Sequence, residues 1–342
     1  MRGRAASPAA GRIALAAALI VVLLAAAAAA ALWFAYERPL PMAADRVEIL
    51  VPPGASARAV AGALRAQGVD LNADLFVAAA RWHDVTRQLR AGRYEFTRGM
   101  RLADVIDRLR RGETLKERLT VIEGWTFRDL RTALAAHPWL RRDTESMSDA
   151  QLLAAVGSDA AHPEGLFAPD TYVFDAGSSD LDILRQAYRA QQARLARAWA
   201  QRAADLPLKT PYEALILASI VEKETGQAAE RARIAGVFVN RLRLGMPLQT
   251  DPTVIYGLGS RFDGNLRKRD LTTDNPYNTY TRSGLPPTPI ALPGAASIEA
   301  AVQPEPTRAL YFVARGDGTS QFSESLAEHN RAVQKYQLQG RP

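Results

Sequence analysis

The 342-residue chain has no cysteine and only four histidines, His83, His137, His162 and His329. Without cysteine there are no disulfides, no thiolate nucleophile and no sulfur-bound zinc. No two histidines stand at i, i+4, so a histidine-based metal site is not expected and a Ser-His-Asp triad has few candidates. The phosphate-binding loop, the dinucleotide fingerprint, the G-x-S-x-G nucleophile turn and the H-E-x-x-H helix are missing too. No metal or cofactor is expected, and any chemistry falls to acids, amides and hydroxyls.

Charge is present but says little. Lys and Arg number 43 against 36 Asp and Glu, a net +7 carried mostly by arginine in an alanine-rich chain. This composition is that of a high-GC bacterial genome, so no nucleic-acid partner is expected from it. Residues 13–35 are uncharged, 23 in a row, enough to cross a hydrocarbon core of about 30 Å. Arg2, Arg4 and Arg12 precede this run, while Trp33, Tyr36, Glu37 and Arg38 close or follow it. The positive-inside rule leaves residues 1–12 in the cytoplasm and everything after residue 38 outside. A cleaved signal peptide is the rival, although signal cores usually span only about 7–15 residues.

Beyond the linker at 39–45, the pattern is that of a small module over residues 46–118. Val47–Val51 reads as a strand, Ser56 caps a helix, and a second helix covers 72–82. Gly92–Phe96 alternates as a strand, and 100–111 is amphipathic. Strand, two helices and strand resemble a LysM-type glycan-binding unit; a plain packing or spacer module fits the same pattern. A mixed α/β domain is expected over 119–338, making the whole chain α+β. Its expected elements include a strand at 119–123, a long helix at 182–202 and a helix at 229–244. A hairpin around Gly316-Asp317-Gly318 and a final helix carrying His329 and Asn330 complete it.

The most telling segment is Thr210 to Glu224. Thr210 suits an N-cap, Pro211 the first helical position, and Glu213 a capping box. Ala214–Val221 contains one hydroxyl and no charge, which predicts a helix buried nearly all round, terminated at Gly226. It emerges in Glu222 and Glu224, at the end where the helix dipole disfavours a carboxylate by about 0.3–1 kcal/mol. An acid leaving an apolar helix there is expected to hold its proton and donate it. Glu222 shares a face with Leu215 and Ala218; Glu224 points to a different side and is the alternative acid. Leu248-Gln249-Thr250-Asp251-Pro252-Thr253 offers an amide, a hydroxyl and a carboxylate, with Asp251 expected to cap a short helix. Pro276-Tyr277-Asn278-Thr279-Tyr280, followed by Gly284-Leu285-Pro286-Pro287, offers aromatic faces and an amide on a stiff backbone. Sugars need that combination: flat rings for pyranose faces and amides for hydroxyls.

These motifs, in this order, resemble the YceG-like family of endolytic murein transglycosylases. Pro293-Gly294, Tyr311-Phe312-Val313 and His329-Asn330 fit the same pattern, as does Glu164–Tyr172 with Ala168 where a larger residue is expected. The resemblance implies a single-pass bacterial inner-membrane protein whose periplasmic domain is a carbon–oxygen lyase acting on nascent peptidoglycan. Peptidoglycan strands and the inner membrane are then the partners, with peptidoglycan synthases as further candidates. The catalytic glutamate falls on Glu222, and Gln249, Tyr277, Asn278 and Tyr280 are the expected subsite contacts. One carboxyl suffices for such a lyase: it protonates the bond between N-acetylmuramic acid and N-acetylglucosamine, then takes the proton of the attacking 6-hydroxyl, leaving a 1,6-anhydro end. The alternatives are a hydrolase leaving reducing ends and a non-catalytic glycan-binding assembly factor.

Overall fold

A computed structural model describes residues 8–338, so Arg2 and Arg4 lie outside the described residues. Helix α1 (Pro8–Glu37) opens the chain. Its stretch Leu15–Glu37, with mean hydropathy 2.8 and no burial, is long and apolar enough to cross a membrane. The chain divides into two compact units. The first reaches to Glu117 and takes in Phe174–Ser178; the second holds Arg118–Val173 and the chain from Ser179 on.

After α1 the first unit runs β1 (Arg46–Val51), α2 (Ala57–Ala66), α3 (Ala73–Trp82), α4 (Val85–Gln88), β2 (Gly92–Thr97), α5 (Leu102–Arg111) and into β3 (Lys116–Thr120). Helices α2 and α3 begin at polar side-chain caps. Ser56 Oγ accepts from Ala59 N, and Asn72 Oδ1 accepts from Asp74 N and Leu75 N. Strands β1 and β2 pair antiparallel, Val47 opposite Phe96 and Ile49 opposite Tyr94. The alternation places all four inside one hydrophobic core, to which α5 contributes Leu102, Val105, Ile106 and Leu109 at helical spacing. Each such side chain contributes about 1.5–3 kcal/mol by leaving water.

In the second unit β3 leads to α6 (Phe127–Ala136), α7 (Asp149–Val156), β4 (Thr171–Asp175), α8 (Asp180–Ala200), α9 (Pro211–Glu224) and α10 (Arg231–Arg243). Then come α11 (Asp251–Leu258), α12 (Lys268–Thr272), α13 (Ala295–Val302), β5 (Tyr311–Ala314), β6 (Ser320–Ser323) and α14 (Leu326–Val333). Strand β3 pairs with β4, and β5 with β6 in an antiparallel hairpin. Two local expectations shift. The strand expected at 119–123 lies at 116–120. The last two residues of the Glu164–Tyr172 segment open β4, where Tyr172 and Phe174 alternate inward.

Helix α9 is the core of this unit. Every residue from Ala214 to Val221 is buried, against α8, α10, α11 and α13. Helix α13, which packs along it, carries too short an apolar pattern to be singled out from sequence. Thr210 Oγ1 accepts from Glu213 N at 3.2 Å, but Glu213 returns its bond to Lys209 N, so the capping box is half formed. The helix ends at Thr225, whose hydroxyl donates to Val221 O; Gly226 is not its cap. The single hydroxyl within the helix serves the fold. Ser219 Oγ donates to Ile216 O (2.7 Å) and accepts from Ile290 N (2.9 Å), fastening the proline-dense segment to α9.

Close approach also governs Gly236 in α10. A Cβ there would stand 2.5 Å from Glu305 O and 2.9 Å from Thr307 Cγ2. Helix propensity alone favours alanine by about 1 kcal/mol, whereas crowding of this kind costs about 1–3 kcal/mol. Gly236→Ala is therefore expected to lower the thermal midpoint of the detergent-solubilised protein, and a raised midpoint would contradict this packing.

Candidate active site

Glu222 and Glu224 stand two residues apart, about 200° around the helix, so they leave α9 in different directions. Glu222 turns toward α13: its Oε2 accepts from Gly294 N at 2.9 Å. There the carboxylate meets the positive end of the α13 dipole, a favourable pairing. A Cβ added at Gly294 would meet the exposed Glu123 carboxylate, which would have to swing aside. Lys223, between Glu222 and Glu224, donates to Gly124 O at 3.2 Å.

Glu224 turns instead toward a groove of about 570 Å³, which it lines together with Gln249, Asp251 and Tyr280; Glu222 is not among the lining residues. Its Oε1 accepts from Thr250 Oγ1. Burial raises its pKa above the ordinary carboxylate range; the Thr250 hydroxyl opposes that and the nearby Asp251 charge adds to it.

The two polar loops brace each other at the floor of this groove. Gln249 N donates to Thr279 O (3.0 Å), Thr250 N to Thr279 Oγ1 (3.1 Å), and the hydroxyls of Thr253 and Thr279 meet at 2.8 Å. These threonines are buried, so the loops hold Glu224 through a closed polar network. Gln249 adopts φ 49°, a left-handed backbone that costs a non-glycine residue about 1–3 kcal/mol and clusters at functional sites. Its exposed side chain takes a guanidinium bond from Arg241 at 3.3 Å. Helix α11 begins at Asp251 with Thr250 in the capping position. Asp251 Oδ1 is therefore free to accept from the Tyr280 hydroxyl at 2.6 Å. Burial first, then that bond and charge, raise the Tyr280 pKa and keep its hydroxyl protonated.

Two expected subsite contacts are corrected. Asn278 is 0 % exposed. Its Nδ2 donates to Asp270 O, Leu271 O and Thr273 O, and its Oδ1 accepts from Tyr280 N. All its capacity goes to folding the 270–280 loop, leaving none for a sugar. Tyr277 is not among the residues that line the groove: its hydroxyl meets Thr288 Oγ1 (2.9 Å) and its ring meets Tyr256 edge-on at 4.9 Å. Of the four, Gln249 and Tyr280 line the groove with Glu224.

The far wall was legible only as a motif. Tyr311, His329 and Asn330 line it, with Arg241 from α10. His329 stacks on Tyr311 at 5.2 Å, and the Arg241 guanidinium lies 5.0 Å from the same ring. A second acid that sequence reasoning passed over is Glu164, 3 % exposed. It accepts from Phe127 N (2.8 Å) and Tyr256 Oη (3.0 Å). An acid between His-Pro and Gly in a turn-forming loop was the available signal.

The YceG-like family matches residues 49–335, and the chain belongs to it. An endolytic murein transglycosylase of Bacillus subtilis is 33 % identical over 314 residues, covering 85 % of this chain and 84 % of that protein. One from Streptococcus pneumoniae is 27 % identical over 325 residues, covering 85 % of this chain but only 58 % of its own longer one. A crystal structure of a YceG-like protein from Listeria monocytogenes aligns with TM-score 0.54 at 29 % identity, over 84 % of this chain and 98 % of that one.

Burial pushes the Glu164 carboxyl up to about 7, against hydrogen bonds that favour the anion. The folded protein thus holds a proton that the unfolded chain releases above about pH 4.5. The associated stability is fully present below that pH and is lost as pH rises through about 7, by at most about 3 kcal/mol. Melting curves between pH 4.5 and 8 should therefore slope downward, and Glu164→Gln should flatten them; an unchanged slope would remove Glu164 as the cause.

Proposed function

We propose that this chain is a membrane-anchored lytic transglycosylase of peptidoglycan and that Glu224 is its single proton-transferring acid. The observation that carries this reading is the placement of Glu224: a half-buried carboxyl, its pKa raised by burial, opening on a groove walled by tyrosines and an exposed amide. Protonated, Glu224 donates to the glycosidic oxygen between N-acetylmuramic acid and N-acetylglucosamine. The resulting carboxylate takes the proton of the muramic 6-hydroxyl as that oxygen attacks the anomeric carbon, closing a 1,6-anhydro ring and returning Glu224 to its starting state. The substrate's own acetamido group stabilises the cationic centre in between. Cutting nascent strands in this way terminates their elongation.

The role expected for Glu222 passes to Glu224 because of direction. Glu222 is engaged with Gly294 N, whereas Glu224 shares the groove with Gln249 and Tyr280. The remaining assignments rest on pattern. The order of residues 46–97, two strands flanking helices α2 and α3 with the short α4 added before β2, supports a LysM-like module over 46–118, with the transglycosylase domain over 119–338. The apolar stretch of α1 supports a single inner-membrane anchor; both modules are then assigned to the periplasm by the arginines that precede it, with peptidoglycan synthases as candidate partners. A hydrolase is the second reading, because Asp251 is another carboxylate in the same groove and ordinary glycosidases use two.

Mass spectrometry of digested sacculi separates these readings: anhydro-ended products are lighter by one water than reducing-ended ones, and a glycan-binding assembly factor makes neither. Glu224→Gln should abolish anhydro products, a loss of about 10³-fold or more, while the protein melts as before. Glu222→Gln should chiefly lower stability; the opposite pattern would return the acid to Glu222.

The pH profile gives an independent check. Cleavage needs protonated Glu224, so the rate falls where that carboxyl ionises, above the ordinary carboxylate range. Asp251→Asn removes a charge that raises this pKa and should move the alkaline limb to lower pH. Thr250→Val removes a bond that lowers it and should move the limb to higher pH. Two shifts in the same direction would mean that the limb belongs to another group.

A further inference from the structure

Arg241 is 7 % exposed yet forms no ion pair among the described residues. Its Nε donates to Leu310 O at 2.7 Å. Its Nη1 donates to Leu248 O (2.9 Å), Pro247 O (3.2 Å) and Gln249 Oε1 (3.3 Å). Every acceptor is neutral. Nη2 makes no hydrogen bond, and it is absent from the enclosed side-chain polar atoms that go without a partner, so it reaches open space. That space is the groove, since Arg241 lines it on the wall formed by Tyr311 and His329. A guanidinium keeps its charge at any physiological pH, and burying it without a counter-charge is costly. Three carbonyls and an amide hold the fork rigid, with its unused donors on the substrate side.

A charge left uncompensated in the groove that the reacting acid lines fits an anionic ligand, and the free Nη2 can give a carboxylate oxygen a charge-assisted hydrogen bond. We propose that Arg241 recognises a carboxylate of the glycan strand and so sets which sugar lies over Glu224. This rests on the transglycosylase reading and deepens it. Along a strand of alternating sugars only the muramic residue carries a lactyl ether, whose carboxylate is either free or extended by a peptide that bears carboxylates of its own. Selecting that residue places the bond on its reducing side at Glu224 and leaves the intervening bond out of register.

The test is steady-state kinetics of the full-length protein in detergent on three strands: peptide-bearing, stripped by an amidase to free lactyl carboxylates, and stripped then converted to the methylamide. Neutralising the carboxylate should raise KM about tenfold with kcat little changed, the scale of a charge-assisted hydrogen bond. The peptide-bearing and stripped strands distinguish a stem carboxylate from the lactyl one. In Arg241→Lys and Arg241→Met the preference should shrink and vanish, respectively. If the wild-type protein treats free and methylamidated strands alike, Arg241 reads no carboxylate and the proposal is wrong, whether or not the variants fold. If the variants slow all strands by one common factor, Arg241 only ties the 247–249 loop to Leu310, which also overturns it. Binding of the same strands to Glu224→Gln protein ranks them without turnover, so a failure of the lyase reading remains distinguishable from a failure of this one.

Discussion

The burial of α9 on every side is the constraint on which the second unit depends. A helix with no polar face cannot tilt or slide toward water without exposing apolar surface, at about 25 cal/mol per Å². Its C-terminal end is therefore held in place by its neighbours, and so are the two acids that leave it. Because they stand two residues apart, they cannot serve the same site. One fastens the start of α13 through Gly294; the other opens on the groove. On the proposed reading, architecture and chemistry are divided between two acids of one short motif.

The groove is built by mutual support between segments far apart in the chain. Threonines 250, 253 and 279 form a closed set of bonds, and Asn278 folds its own loop by satisfying three carbonyls. This rigid floor sustains the left-handed backbone of Gln249 and fixes the distance between Tyr280 and Asp251. Preorganised donors and acceptors of this kind need little rearrangement when charge develops in a transition state. Arg241 joins the floor to the far wall by bonding to both the 247–249 loop and Leu310.

Much of this was readable from residue order. The apolar run of α9, its Thr-Pro start, the β-α-α-β outline, the hairpin about Gly316 and the polar character of both loops all follow from local rules. So does the family, whose motifs stand in sequence order. What could not be read were directions and partners. Tyr277 and Asn278 look like sugar-binding residues because tyrosine and asparagine suit sugars, but the same groups suit a buried turn, and the loop used them there. The face shared by Glu222, Leu215 and Ala218 lost its meaning because every face of α9 is covered. Arg241 read as an ordinary position on an amphipathic helix, since nothing local reveals whether an arginine meets a carboxylate.

Local sequence thus determined which segments would be helix, strand or loop, where apolar stretches had to be covered, and that the available chemistry was carboxyl, amide and aromatic. These depend on spacing, propensity and composition, which adjacent residues specify among themselves. Which acid faces the groove, which loop residues are consumed by the fold and which cation stays uncompensated were decided only when α9, α10, α13 and the two loops packed together. Burial and hydrogen-bond completion are properties of that packing: they depend on what lies across the interface, and residues tens of positions away in the chain supply it.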